Sequence, residues 1–306
     1  MEKVKVSVIV PNYNHAAFLH ERISSILNQS YQNFELIILD DCSTDNSLAI
    51  IEQFKEERAV SHVILNTKNS GSTFKQWEKG LNLAKGEYIW IAESDDFADR
   101  QFLERAVEIL DENYSIGIFQ CGCNWVDENG VILFSDSLEI KKGVTGGREF
   151  IKTDMTICNN IFNASAVVFR KTYLSLPLDS FITSFAYSGD WIFWIKILEK
   201  SNHFYLNENL NYFRKDPLGT SSIAHKKALF FTEGVRIFGY LKKAGIKKST
   251  IFDKEERYMA FRFAQRNYPI RIMFEVFKNS FSAGLLLPAY VVWAYFKINI
   301  LKIRTR

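Results

Sequence analysis

Short apolar runs closed by polar loops take turns with stretches whose apolar residues recur every three or four positions. Val6–Val10, Phe34–Leu39, His62–Leu65 and Tyr88–Ala92 predict strands. Between them Ala16–Leu27, Asn46–Phe54 and Phe74–Ala84 predict helices, and Arg100–Leu110 a further one. That βαβαβαβ order predicts an α/β fold, a mainly parallel sheet covered by helices on both faces. Right-handed crossovers gather the loops that follow the strands at one sheet edge. After residue 115 the pattern turns to strands and tight turns. Ile116–Cys121 and Val131–Phe134 flank Asp127-Glu-Asn-Gly130, a hairpin signal. Ala164–Phe169, Phe204–Leu206 and Leu210–Phe213 predict further strands, and Trp191–Leu198 a strongly apolar helix. From about Ile223 the chain is helical, aromatic and basic.

The most informative segment is Glu93-Ser94-Asp95-Asp96-Phe97, directly after the apolar run ending at Ala92. Open α/β sheets hold ligands in the crevice outside such strand ends. Adjacent carboxylates there repel one another unless a cation satisfies them, and a divalent metal carrying phosphates is a natural partner. Asp99 is placed to cap the helix that follows, which leaves Asp95 and Asp96 without a structural task.

Three other loops carry polar residues to the same edge. Pro11-Asn-Tyr-Asn-His15 follows the first strand; Pro11 ends it by lacking an N–H, and Tyr13 offers a face on which a nucleobase can stack or simply packs under the loop. Asp40-Asp-Cys-Ser-Thr-Asp45 follows the second strand. One of Ser43, Thr44 and Asp45 caps the next helix, whereas Asp40 is placed to accept the ring N–H of a uracil or thymine. Ser188-Gly-Asp190 opens the Trp191–Leu198 helix, where Asp190 reads either as a functional carboxylate or as an N-cap. Lys75 is a candidate phosphate contact or a solvated helix charge.

Composition narrows the field only slightly. The 306 residues are 47% hydrophobic and 24% charged, ordinary for a folded protein, and a net charge of +3 is too mild to argue for nucleic acid. Cys42, Cys121, Cys123 and Cys158 lack metal-ligand spacing and read as free thiols of a reducing compartment. Glu2, Lys3 and Lys5 lead straight into the first strand without a signal-peptide pattern, so a cytoplasmic catalytic part is expected. No glycine-rich dinucleotide fingerprint or P-loop follows any strand. A phosphate is then to be held by a metal rather than by a glycine cradle.

Val6-Ser-Val-Ile-Val-Pro-Asn-Tyr-Asn14, Leu39-Asp-Asp-Cys-Ser-Thr-Asp45, Glu87-Tyr-Ile-Trp-Ile-Ala-Glu-Ser-Asp-Asp96 and Gly189-Asp-Trp-Ile-Phe-Trp194 together resemble glycosyltransferase family 2 over residues 4–222. The resemblance implies a GT-A fold: a mixed, mainly parallel sheet in a catalytic domain over 1–222. Within it, 1–112 would be the nucleotide-binding half and 113–222 the acceptor half, with 223–306 a helical extension. It implies an inverting transfer of sugar, hexosyl or N-acetylhexosaminyl, from a nucleoside-diphosphate donor, UDP foremost, to an acceptor hydroxyl in bacterial cell-surface glycan synthesis. Pro11, Tyr13, Asp40, Lys75 and Asp95 would bind the nucleotide sugar, Asp96 the Mn²⁺ or Mg²⁺ ion, and Asp190 would be the general base. Members of the family carry a His two residues after a Tyr-aromatic-Arg pattern; here Asp216 follows Tyr212-Phe-Arg214 at that place and is a second candidate ligand. Asn159, Asn160 and Asn163 are candidates to read acceptor hydroxyls. The alternative is a non-catalytic nucleotide-sugar binding protein on the same fold; a receiver-type Mg²⁺ site at Asp40-Asp41 would leave Asp95, Asp96 and Asp190 unexplained.

The last third raises a separate expectation. Asn279–Phe296 has no charged residue but is marginal for a span and holds Gly284 and Pro288. Arg257, Arg262, Arg266 and Arg271 are interleaved with Phe261, Phe263, Tyr268 and Phe274. Basic, aromatic helices suit an anionic membrane surface, with packing on the catalytic domain or on a second subunit as the alternatives.

Overall fold

The run that begins at Val6 forms β1 (Val6–Asn12), every residue of it buried, at the heart of a ten-stranded sheet. The computed structural model describes residues 3–136, 138–156, 158–215, 228–246, 257, 259–260, 262–265, 268–282 and 287–299. By internal contacts the chain divides into two units, Met1–Phe150 with Ile161–Asp216, and Ile151–Asn160 with Pro217–Arg306.

In the first unit β1, α1 (Ala16–Leu27), β2 (Phe34–Asp40), α2 (Ser47–Phe54), β3 (Val60–Leu65), α3 (Thr73–Leu83) and β4 (Tyr88–Ile91) follow in the predicted order. Then come β5 (Phe97–Ala98), α4 (Phe102–Glu112), β6 (Ile116–Val126), β7 (Ile132–Ser135), β8 (Gly143–Thr145) and α5 (Gly147–Asp154), the last running into the second unit. The first unit resumes with β9 (Val167–Arg170), α6 (Ser180–Thr183), α7 (Gly189–Leu198) and β10 (Asn202–Arg214). The strand order is β3-β2-β1-β4-β9-β6-β10-β5, with β7 on β6 and β8 on β10. Strands β3, β2, β1 and β4 are parallel, and β9 is antiparallel to both β4 and β6. The chain builds outward from β1 to β3, then returns to lay β4 on the other side of β1. That reversal opens the crevice at the carboxyl ends of β1 and β4, where the sheet architecture places ligands.

Four elements depart from the sequence pattern, each for a local reason. Pro11 does not end β1, which continues to Asn12. Ile9 accepts the Ala92 N–H, so odd positions face β4, whose pairing stops at Ile9–Ile91; Asn12 accepts the Asp41 N–H on the β2 side. The N–H that Pro11 lacks therefore has no ladder partner to lose. The two expected strands at 204–206 and 210–213 are one 13-residue strand, β10, because Asn207 and Glu208 bulge out between the Leu206–Cys121 and Asn209–Gly122 pairs. Residues 164–166 form a 3₁₀ turn rather than strand, since the Asn163 side chain accepts the Ser165 N–H. Strand β6 runs on to Val126 and turns into β7 through Asp127, whose Oδ1 accepts from the N–H groups of Asn129 and Val131.

The core lies on both sides of the central strands, with Val6, Val8, Val10, Leu36, Ile38 and Trp90 packed against Leu19, Ile23 and Ile26 of α1 and Phe102, Leu103 and Ala106 of α4. On the opposite face α3 lies so close to β1 that a Cβ on Gly80 would stand 2.5 Å from Ile9 Cγ2. Cys121 and Cys123 are buried thiols, Cys42 is half-buried and Cys158 exposed; all four are free.

The second unit contains α8 (Leu229–Lys243), α9 (Ile270–Ser282) and α10 (Leu287–Asn299), with α9 packed on α8 and on α10. No helix among the described residues is long and apolar enough to cross a membrane.

Candidate active site

The loops after β1 and β2 are stitched together by short polar side chains. Asn12 and Asp40 are register partners at the ends of their strands, and Asn12 Nδ2 donates to Asp40 Oδ1 at 2.8 Å. Ser43 donates its hydroxyl to the same oxygen at 2.6 Å and its N–H to Oδ2 at 2.9 Å. Asn14, held at φ 57, accepts the Thr44 N–H, and Asp45 takes the N–H groups of Ala16 and Ser47. The cap residue of α2 is Asn46 rather than Ser43, Thr44 or Asp45, with Asp45 accepting the Ser47 N–H from one position ahead. Tyr13 rises from this braced floor with 47% of its surface exposed. Asp40 itself is 1% exposed, yet Oδ2 receives a single donor and keeps a lone pair.

Asp41 has a different fate. Its carboxylate accepts from Asn66 Nδ2, the Ser70 N–H and hydroxyl, and Gln76 Nε2, all within 2.9 Å. Four donors tie the β2 end to the loop before α3, three of them on Oδ1, so Asp41 is engaged in bracing that loop. Lys75 is exposed and directs Nζ at the Ser70 carbonyl, 3.3 Å away.

The acidic loop after β4 holds three carboxylates in three environments. Glu93 Oε1 accepts the indole N–H of Trp77 at 3.0 Å. Burial, with the Asp95 carboxylate next in weight, pushes Glu93 up to about 8. Asp96 is 1% exposed: Oδ2 accepts from Asn163 Nδ2 at 2.9 Å and Oδ1 from the Arg214 N–H at 3.0 Å. Burial first and Asp95 second push it up to about 7. Asp95 is half-exposed, and its carboxylate receives no hydrogen bond from the described residues.

This arrangement corrects two expectations. Asp96 has a structural task after all, and each of its oxygens, with one donor apiece, keeps a lone pair as Asp40 Oδ2 does. Asp95 is the open carboxylate. Asn163, expected among acceptor-reading residues, spends its amide N–H on Asp96 and its carbonyl on Ser165. Asp99 accepts the Gln101 N–H one turn before α4, a cap in function though it stands ahead of the first helical residue.

Two arginines underlie the loop. Arg214 donates Nε to the Asp95 carbonyl, Nη1 to the carbonyls of Asp127 and Glu128, and Nη2 to Glu21, while its plane lies 4.5 Å from the Phe18 ring. One side chain so joins the acidic loop, the β6–β7 turn and α1. Arg22 is fully buried on α1, 4.9 Å from the Trp90 ring, with no hydrogen-bond acceptor among the described residues. Burial lowers it to about 10, against the pull of Asp96, Asp95 and Glu93. It offsets part of the loop's negative charge and leaves the rest. His15 Nδ1, 2.8 Å from Ser94 Oγ, links this loop to the one carrying Tyr13.

Asp190 lies in the first turn of α7, its Oδ1 accepting the Trp191 N–H at 2.8 Å. The helix cap is Ser188, so Asp190 is not the N-cap. A Cβ on Gly189 would meet Phe74 at 2.5 Å, so glycine is what lets this helix start approach α3. Trp77 completes the link, its ring 5.4 Å from Phe193 and 6.0 Å from Trp194 of α7. Asp216 lies outside the described residues. Among those residues no three His, Cys, Asp or Glu side chains form a metal cluster by themselves.

The model of glycosyl transferase family 2 matches residues 7–158. The poly(ribitol-phosphate) β-N-acetylglucosaminyltransferase TarP of Staphylococcus aureus is 31% identical over 215 residues, 68% of this chain and 62% of that protein. The corresponding enzyme TarS of S. aureus is 35% identical over 114 residues, 37% of this chain; the aligned part spans only about 20% of its length. The crystal structure of TarS 1–349 with UDP-GlcNAc superposes with a TM-score of 0.66 at 20% identity, covering 96% of this chain and 90% of that one. The Pyrobaculum calidifontis mannosyltransferase PcManGT, with GDP-Man and Mn²⁺, superposes with a TM-score of 0.55 at 17% identity over 99% and 89% of the two chains. The fold is therefore GT-A.

Proposed function

This chain belongs to glycosyl transferase family 2, and we propose that it moves a hexosyl or N-acetylhexosaminyl group from a UDP-sugar to a hydroxyl of a cell-surface glycan, with inversion at the anomeric carbon. The observation that carries this reading is the open Asp95 carboxylate beside the β1/β4 crevice, backed by a loop whose negative charge Arg22 only partly offsets.

A divalent cation fits that loop better than the protein's own groups do. Glu93 and Asp96 stand at about 8 and about 7 because burial, and after it the neighbouring Asp95 carboxylate, disfavours their charge. Asp96, with Asp95 beside it, would hold Mn²⁺ or Mg²⁺ together with the donor diphosphate. When bound, the ion offsets the charge that builds on the departing nucleoside diphosphate. Tyr13 stacks on the base, and Asp40 Oδ2 accepts its ring N–H. Pro11 sets the height of that loop, and Lys75 swings from the Ser70 carbonyl toward phosphate. Asp190 takes the proton of the acceptor hydroxyl as its oxygen attacks the anomeric carbon; a base so placed contributes about 10²–10⁴ in rate. Residues 1–112 bind the nucleotide and 113–222 the acceptor, with Asn159 and Asn160 candidates on that side.

The test is release of nucleoside diphosphate from a panel of UDP-, dTDP- and GDP-sugars with Mn²⁺, Mg²⁺ or EDTA. Metal-dependent release from one donor supports transfer. Tight donor binding with no turnover in the presence of glycan acceptors favours the non-catalytic alternative.

A further inference from the structure

Charge is distributed unevenly along this chain. From Arg257 to Arg306 there are nine lysines and arginines and a single acid, Glu275, although the whole chain carries only +3. The residues before Arg257 are therefore net negative, and the surplus of positive charge sits in one end segment. Such asymmetry points to an anionic surface as partner.

Helix α9 gives the segment a face. Arg271, Phe274, Lys278 and Phe281 are all exposed, and their spacing of three, four and three residues puts them on one side of the helix. Phe274 and Phe281 leave 67% and 70% of their surface in water, although the same helix buries Val276 completely. In the helix that packs beside it, Val292 is 64% exposed. Two phenylalanines on one line, with Lys278 between them and Arg271 one turn before, are costly on a surface that stays wet. They suit the boundary between headgroups and acyl chains, where rings enter the apolar layer and cations meet lipid phosphate. A second copy is disfavoured as the occupant, because pairing this face with itself would bring Arg271 and Lys278 against their own counterparts.

We propose that the Arg271–Phe274–Lys278–Phe281 face of α9 docks on an anionic lipid bilayer, so that the enzyme is held peripherally, without spanning. The inference is independent of the donor and of the assignments in the sugar-nucleotide site.

The experiment is co-sedimentation of the full chain with phosphatidylcholine vesicles and with vesicles containing about 30% phosphatidylglycerol, at low and high salt. Wild type should partition roughly tenfold more onto the anionic vesicles, and salt should release part of it. F274S/F281S should lose roughly tenfold in partitioning while melting temperature and donor turnover stay unchanged, and R271Q/K278Q should lose the preference for anionic lipid. Three results overturn the proposal: equal or absent binding to both vesicle types, wild-type partitioning by a folded F274S/F281S protein, or a change of oligomeric state in that variant, which would assign the face to a second copy.

Discussion

Trp77 and Glu93 meet at 3.0 Å, indole N–H to Oε1, and the same indole packs edge-on to Phe193 in the helix that begins with Gly189 and Asp190. One residue of α3 thus touches both the acidic loop and the helix bearing the proposed base. Trp77→Phe keeps a ring but removes the donor, leaving a crowded carboxylate less stabilised. The expected loss of stability is about 1–3 kcal/mol, read by urea denaturation. Activity should fall more in kcat than in donor KM, because α7 shifts while the nucleotide loops stay braced. An unchanged kcat in a folded Trp77→Phe protein would remove the link between the two elements.

Asp95 and Asp96 are adjacent but do different work, and substitution separates them. Asp95→Asn should leave the fold intact, because no described residue depends on that carboxylate, and should weaken the response of donor turnover to Mn²⁺. Asp96→Ala should instead strand Asn163 Nδ2 and the Arg214 N–H. An orphaned buried donor costs about 1–3 kcal/mol, so the second variant should melt well below wild type. Parallel melting curves and Mn²⁺ titrations check both; wild-type Mn²⁺ activation in Asp95→Asn would leave the ligand role to Asp96 alone.

The raised carboxyls of the acidic loop make the metal-free protein respond to pH in an unusual direction. Glu93 stands at about 8 and Asp96 at about 7 when folded, whereas both ionise near the ordinary carboxylate values when unfolded. Between pH 8 and 6.5 the folded state therefore binds more protons than the unfolded one, and stability rises as pH falls. Below 6.5 His203 opposes this, since burial lowers it to about 3 and the unfolded chain then takes up the extra proton. Denaturation midpoints in EDTA should climb steeply from pH 8 to about 6.5 and more gently below it, since the single proton taken up by His203 in the unfolded chain offsets one of the two that Glu93 and Asp96 hold in the fold. Glu93→Gln should flatten the upper limb. A midpoint that is constant or falling from pH 8 to 6.5 in wild type would show that the loop is not charge-strained.

The central strands and their succession along the chain were legible because each is an uninterrupted apolar run closed by polar residues, and the acidic loop stood out as carboxylates at such an end. The roles inside that loop were not legible. Asp96 is held by Asn163 and Arg214, 67 and 118 residues away, and partners at that distance leave no local pattern. The merger of two short strands into β10 depended on the bulge at Asn207 and Glu208, which looks like a turn in sequence. Arg22 did leave a signal: it occupies the buried face of α1 with Leu19, Ile23 and Ile26, where a cation breaks the apolar spacing. A cation on a core-facing helix position calls for nearby negative charge, and here Glu93, Asp95 and Asp96 supply it.

Tyr13 tests the nucleotide end of the crevice separately from the chemistry. Its ring is 47% exposed at the end of a strand that is otherwise buried, so removing it costs the fold little. A base stacked on an aromatic ring is worth about 1–3 kcal/mol, so Tyr13→Ala should raise donor KM by roughly ten- to a hundredfold with kcat nearly unchanged. Tyr13→Phe should restore most of the loss. A folded alanine variant with wild-type KM would place the base elsewhere.

Asp190 tests the chemistry itself. Its carboxylate sits in the first turn of α7, on a helix start that only glycine at position 189 allows to approach Phe74. Asp190→Asn keeps an oxygen for the Trp191 N–H, so the helix should form and the melting temperature should stay close to wild type. The variant lacks a base, and kcat for transfer should fall by about 10²–10⁴ with donor KM little changed. Raising the pH should recover part of the rate, because a more ionised acceptor hydroxyl needs less help. If Asp190→Asn transfers sugar at the wild-type rate, the proton leaves by another route and the role passes to a different carboxylate at the crevice. If kcat falls and KM rises together, Asp190 is positioning the donor as well.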